Sequence, residues 1–151
     1  MKTLESLRRD KYRGHAATTT SYFNHVFAVK QPKKASELES LIDEYCTLSN
    51  AECTKNHSEG RQIVSKTNVT DVLGRSNSIT DVKHIPSTTR RGTSDLTVVK
   101  DGKALYVEVK LKDRQSEAQK QWQKRVEGFG NTYVIVRNID EFAEVFTEYF
   151  N

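Results

Sequence analysis

Asp95, Glu108 and Lys110 are three charged side chains that the local sequence puts on one surface. They lie in SDLTVVKDGKALYVEVK, residues 94–110, where two β-rich runs flank Asp101-Gly102, a dipeptide that favours a two-residue hairpin turn. With that turn, Lys100 faces Lys103, Val98 faces Leu105, Leu96 faces Val107 and Asp95 faces Glu108. Directly opposed residues of an antiparallel pair point to the same side, with β-carbons roughly 4.5–5.5 Å apart. Lys110 lies two residues past Glu108 and shares that side, whereas Leu96, Val98, Leu105, Val107 and Val109 line the other.

Two carboxylates side by side repel each other and weaken a sheet unless a cation sits between them. Hard oxygen ligands at this separation suit Mg²⁺, with Mn²⁺ as a substitute, because Mg²⁺ takes one or two carboxylates and keeps several waters. The adjacent ammonium can offset negative charge that develops on an attacked group. The plain alternative is a solvated sheet face with alternating charges, and Glu-x-Lys alone carries little weight. The opposed aspartate, preceded by a Gly-led polar loop, favours the cation site.

Several elements must position these residues. The stretch 36–48, SELESLIDEYCTL, predicts a helix capped by Ser36, with Leu38, Leu41, Ile42 and Tyr45 in one apolar stripe. Residues 49–60 read as a polar connection, and 61–88 as strand-like pieces broken by polar turns. After the hairpin, a helix starts at Ser116, whose capping-box partner is Gln119, and ends at Gly128 or Gly130. Ala118, Trp122 and Val126 form the core face of that helix. The run 132–137 (TYVIVR) predicts a strand covered on both faces, and a last helix begins near Asp140 with Phe142, Val145, Phe146 and Tyr149 at helical spacing.

The order Gly92-x-x-Asp95, short hairpin, Glu108-Val109-Lys110, Ser116-x-x-Gln119-x-x-Trp122, apolar strand and final helix resembles the PD-(D/E)XK nucleases. Within them it is most similar to the virus-type replication-repair nuclease (VRR-NUC) domains, with archaeal Holliday junction resolvases as neighbours. The resemblance covers residues 90–146. It implies an α/β fold with an α-β-β-β-α-β core, a mixed sheet and a C-terminal helix. It also implies Mg²⁺-dependent hydrolysis of DNA phosphodiesters, selective for junctions, flaps or other branched DNA, by an enzyme that can act as a homodimer. Asp95, Glu108 and Lys110 match the signature, Gln119 matches the glutamine that follows it, and Ser94 stands where the family has proline. The resemblance adds a glutamate from the first core helix to the metal ligands Asp95 and Glu108. Glu37 is favoured for that role, ahead of Glu39 and Glu44. Arg90, Arg91, Lys112 and Arg114 bracket the site and are candidates to hold DNA phosphates. The alternatives are a restriction or genome-degrading nuclease of the same superfamily, and a DNA-binding protein on this fold that does not cut.

Composition agrees with one domain and a polyanionic partner. A chain of 151 residues can bury one core, and 35% hydrophobic residues with 29% charge is lean but globular. Residues 1–34 hold eight Lys/Arg against Glu5 and Asp10; taken from the formal net charge of +4, their +6 leaves −2 for the rest. A basic N-terminal arm or extension, 1–34, thus precedes a nuclease domain, 35–151, and suits phosphate neutralisation. Cys46 and Cys53 are too few for a disulfide scaffold, and with His57 they lack a fourth zinc ligand. His15, His25, His57 and His84 are too dispersed for a histidine-based mechanism. No stretch suits a signal peptide or a bilayer span, so the expectation is a soluble cytoplasmic protein without a membrane partner.

Overall fold

The computed structural model describes residues 2–12, 28–56, 61–70, 76–85 and 90–151. Residues 13–27, the Thr-rich and aromatic part of the basic segment with His15 and His25, lie outside that set, as do His57 and residues 86–89. The described elements are helix α1 (Leu4–Tyr12), helix α2 (Ala35–Leu48) and strands β1 (Glu52–Lys55), β2 (Arg61–Thr70), β3 (Ser76–Ile85), β4 (Leu96–Lys100) and β5 (Lys103–Val109). They continue with helix α3 (Glu117–Gly128), strand β6 (Thr132–Val136) and helix α4 (Ile139–Phe150). The fold is mixed α/β. One sheet has the order β1-β4-β5-β6, antiparallel except for the parallel β5–β6 pair, and β2–β3 form a separate two-stranded sheet.

The β4–β5 hairpin has the register that its turn dictates. Asp101 and Gly102 both have positive φ (48° and 76°), the backbone that a type I′ turn requires. Leu96 pairs with Val107, Val98 with Leu105 and Lys100 with Lys103. Leu96, Val98, Leu105 and Val107 are fully buried, joined in one core with Leu38, Ile42, Tyr45 and Cys46 of α2 and with Phe142 and Phe146 of α4. Tyr45, Phe142 and Phe146 meet edge-on or tilted at centroid distances of 5.2–5.8 Å, the favoured geometry for aromatic rings. α3 lies along β6 and closes the opposite face.

Three details differ from the sequence reading. β1 falls inside the stretch 49–60, which reads as a polar connection, because an edge strand of four residues needs few apolar side chains. Where the sequence reads as pieces broken by polar turns, β2 and β3 are continuous strands that pair only with each other, and Ile63, Val64 and Val82 stay about half exposed. Ser36 does not cap α2, which starts at Ala35 with Lys34 in the cap position; its backbone carbonyl instead accepts from Ser40 Oγ. Over its described part, the segment 1–34 is a packed extension, since Leu4 and Leu7 of α1 belong to the main core. Arg8 chelates Glu44 of α2 at 2.6 and 2.7 Å, and Tyr45 Oη donates to the Lys2 carbonyl at 3.0 Å.

Truncating a buried leucine removes its transfer energy and leaves a cavity. Leu4→Ala should therefore lower the free energy of unfolding by about 2–4 kcal/mol in urea titration. A loss near zero would mean that α1 does not share the core.

Candidate active site

The main chain around Asp95 is fixed from both sides. Gly92 has φ +82°, and a Cβ there would lie 2.5 Å from the backbone carbonyl of Ala118 in α3. Glycine alone meets both demands, and the contact ties the turn before β4 to the first turn of α3. Ser94 is buried, and its hydroxyl donates to the Leu96 carbonyl at 3.1 Å. Asn56, just past β1, donates its backbone N–H to the Asp95 carbonyl at 2.8 Å and its side-chain amide to the Ser94 carbonyl and to Thr97 Oγ1.

Asp95 and Glu108 then occupy the position after the last ladder pair, Leu96–Val107. Asp95 Oδ2 accepts the Val109 N–H at 2.8 Å, so the side chain takes over where the backbone ladder stops. Among the described residues its Oδ1 has no hydrogen-bond or ion-pair partner. Glu108 is fully buried. Its Oε1 accepts from Lys110 Nζ at 2.9 Å and from the Gln119 side-chain amide, and its Oε2 accepts from Tyr133 Oη at 3.1 Å. The other end of the Gln119 amide accepts the Ser116 N–H at 2.8 Å, completing the capping box of α3. One side chain thus caps the helix and holds the carboxylate. Gln115 donates to Tyr133 Oη at 3.4 Å and to Gln123 Oε1 at 3.0 Å.

Burial is the largest influence on Glu108 and pushes its carboxyl up from the ordinary value of 4.5. The hydrogen bond from Lys110 pulls it down, the negative charge of Asp95 pushes it up again, and the balance is a raised value. Burial and the Glu108 charge likewise raise the phenol of Tyr133. With no cation bound, the site is therefore short of positive charge. Two carboxylates, one with an unpartnered oxygen, form a donor set that Mg²⁺ accepts alongside water.

The first-helix glutamate does not join this set. Glu37 is exposed at the start of α2, where its carboxylate accepts the Lys33 N–H at 2.7 Å. Glu39 pairs with Lys55 at 3.5 Å, and Glu44 with Arg8. The reason is topological: α2 packs on the apolar face of the hairpin, across the sheet from Asp95 and Glu108. Among the described residues no group of three or more His, Cys, Asp or Glu is gathered to hold a metal. Cys46 and Cys53 are free thiols, the first buried and the second half-buried. Arg90 and Arg91 lie exposed in the turn before Gly92, and Lys112 and Arg114 lie exposed between β5 and α3.

Sequence reasoning missed Tyr133 and Gln115. Tyr133 pairs with Tyr106 in the parallel β5–β6 register and therefore shares the face of Glu108 two residues on. The only signal would have been a parallel placement of TYVIVR beside β5. No protein-family model, curated protein or solved structure matches this chain.

The raised carboxyl of Glu108 gives a stability prediction with a definite sign. The folded state holds the Glu108 proton more tightly than the unfolded state does, so its contribution is present below about pH 4.5 and is lost as pH rises. Without divalent cations, wild-type stability should decline relative to Glu108→Gln as pH is raised from 4 to 7, measured by denaturant unfolding at each pH. Parallel pH profiles for the two proteins would remove the electrostatic account of this site.

Proposed function

We propose that the chain is a divalent-cation-dependent DNA endonuclease of the PD-(D/E)XK type, acting on junctions, flaps or other branched DNA. The observation that carries this reading is the buried Glu108 beside Asp95, with Lys110 Nζ at 2.9 Å and the Gln119 amide on the same carboxylate. The element order gives further support. α2, β1, β4, β5, α3 and β6 follow the α-β-β-β-α-β sequence of that superfamily, with the β2–β3 hairpin inserted between the first two core strands.

Asp95 and Glu108 are the residues to hold Mg²⁺. When bound, the ion supplies an activated water and neutralises charge on the phosphoryl oxygens. The residues of the chain have separate tasks. Lys110 brings a fixed positive charge to where the phosphate gains negative charge. Gln119 and Tyr133 hold one carboxylate oxygen each and so keep Glu108 in a single orientation, the task of outer groups in metal sites. Asp95 is positioned by its bond to the Val109 N–H, which leaves the second oxygen for the cation. Exposed Arg90, Arg91, Lys112 and Arg114 supply charge for the DNA backbone.

A second reading has one observation in its favour. The missing third carboxylate suits a DNA-binding protein on this fold that does not cut. Cleavage assays on linear, nicked, flapped and four-way DNA in Mg²⁺ separate the two. Wild type should cut a branched substrate, while Asp95→Ala and Glu108→Gln should each lose on the order of 100-fold or more in rate and still bind the DNA. Binding without cleavage by the wild type would favour the second reading. Near wild-type rates in either variant would remove the assigned site.

A further inference from the structure

Beside the carboxylate pair lies a second feature, a cleft of about 250 Å³ lined by Arg90, Arg91, Ala118, Gln121, Trp122 and Arg125. Two elements build it. Ala118, Gln121, Trp122 and Arg125 recur at helical spacing along one face of α3, and Arg90 and Arg91 come from the turn before β4. The close contact of Gly92 with the Ala118 carbonyl locks that turn against the helix. Of the three residues read as the core face of this helix, Val126 is fully packed away, Trp122 is partly buried and Ala118 is exposed. Trp122 lines the cleft, and its indole N–H has no partner among the described residues and is closed off from solvent, so the side chain presents no polar atom there.

The lining dictates a ligand class. Three guanidinium groups line the cleft with no carboxylate among them, and none is ion-paired with a described residue. Arginine at such density selects phosphate, which it can grip with two parallel hydrogen bonds. Aromatic carbon next to it suits the face of a nucleobase, the pairing used by proteins that bind single strands. Pockets for whole small molecules start at roughly 300 Å³, so this smaller cleft fits one unit of a polymer better than a complete cofactor. The cleft also adjoins the candidate active site. Ala118 lines the one while its neighbour Gln119 holds Glu108 in the other, and Asp95 follows Gly92 by three residues.

We infer that this cleft is a nucleotide subsite, taking a phosphate on its arginines and the adjoining base against Trp122, for an unpaired stretch of the DNA strand next to the cleavage point. The inference rests on the nuclease reading for its substrate and makes it more specific. An enzyme that grips an unpaired nucleotide beside its cutting site would select branched DNA over continuous duplex.

Trp122 is the only tryptophan in the chain, so its fluorescence reports on the cleft alone. The probe is a short single-stranded oligothymidylate, titrated into the full chain in EDTA so that no cleavage occurs. Binding should quench Trp122, and Arg125→Ala should weaken the affinity about tenfold, the scale of one lost phosphate or base contact. Lys124→Ala removes the same charge from the same helix outside the cleft and should change affinity less than about twofold. Inorganic phosphate at the same phosphate concentration should compete only weakly. The inference is overturned if a labelled oligonucleotide binds by anisotropy without altering Trp122, or if Lys124→Ala weakens binding as much as Arg125→Ala. Because the titration needs no metal, quenching by a protein that never cuts DNA would sustain the subsite and reject the nuclease reading. Cleavage without quenching would do the reverse.

Discussion

A carboxylate removed from water costs several kcal/mol unless charge and hydrogen bonds replace its hydration shell. Glu108 has undergone that removal at the end of a central strand, and much of the local architecture serves as the replacement. Lys110 follows directly after the same strand, Tyr133 comes from the parallel neighbour, and Gln119 comes from the helix that joins the two. Three elements therefore converge on one carboxylate, and a displacement of any one of them would take a partner from it. Even so, burial still outweighs the attraction of Lys110, and the negative charge of Asp95 adds to the imbalance. A group held at such cost has a physical reason to exist if a cation completes it.

The two faces of the hairpin divide the work. One carries Leu96, Val98, Leu105 and Val107 into the core with α2 and α4, which provides the rigidity that a fixed carboxylate pair needs. The other carries Asp95, Glu108 and the side chains that orient them, covered by α3. Gly92 joins these tasks, since its missing side chain lets the approach to β4 rest directly on the first turn of α3.

What was legible in the sequence had a local cause. Asp101-Gly102 specifies its turn, the turn specifies the register, and the register opposes Asp95 to Glu108 with no knowledge of the rest of the chain. Ser116 and Gln119 signal a helix start for the same reason. What was not legible depends on distant pairings. β1 is too short and polar to announce itself, and its place at the sheet edge follows only once β4 is present. Tyr133 lies in an apolar run whose alignment with β5 no local rule supplies. Glu37 lies on the first core helix, from which the resemblance expects a ligand, but the face on which α2 packs separates it from the pair. Trp122 matched a core pattern, whereas the docking of Arg90 and Arg91 beside it made an open cleft.

The function proposed for Asp95 and Glu108 requires that they share a divalent cation. Diffraction from crystals soaked in saturating Mn²⁺, collected at the manganese absorption edge, tests it most directly. An anomalous peak is expected between the unpartnered Asp95 oxygen and the Glu108 carboxylate, within about 2.4 Å of an oxygen of each. A chain that keeps this arrangement but shows no peak there, or binds Mn²⁺ only elsewhere, would contradict it.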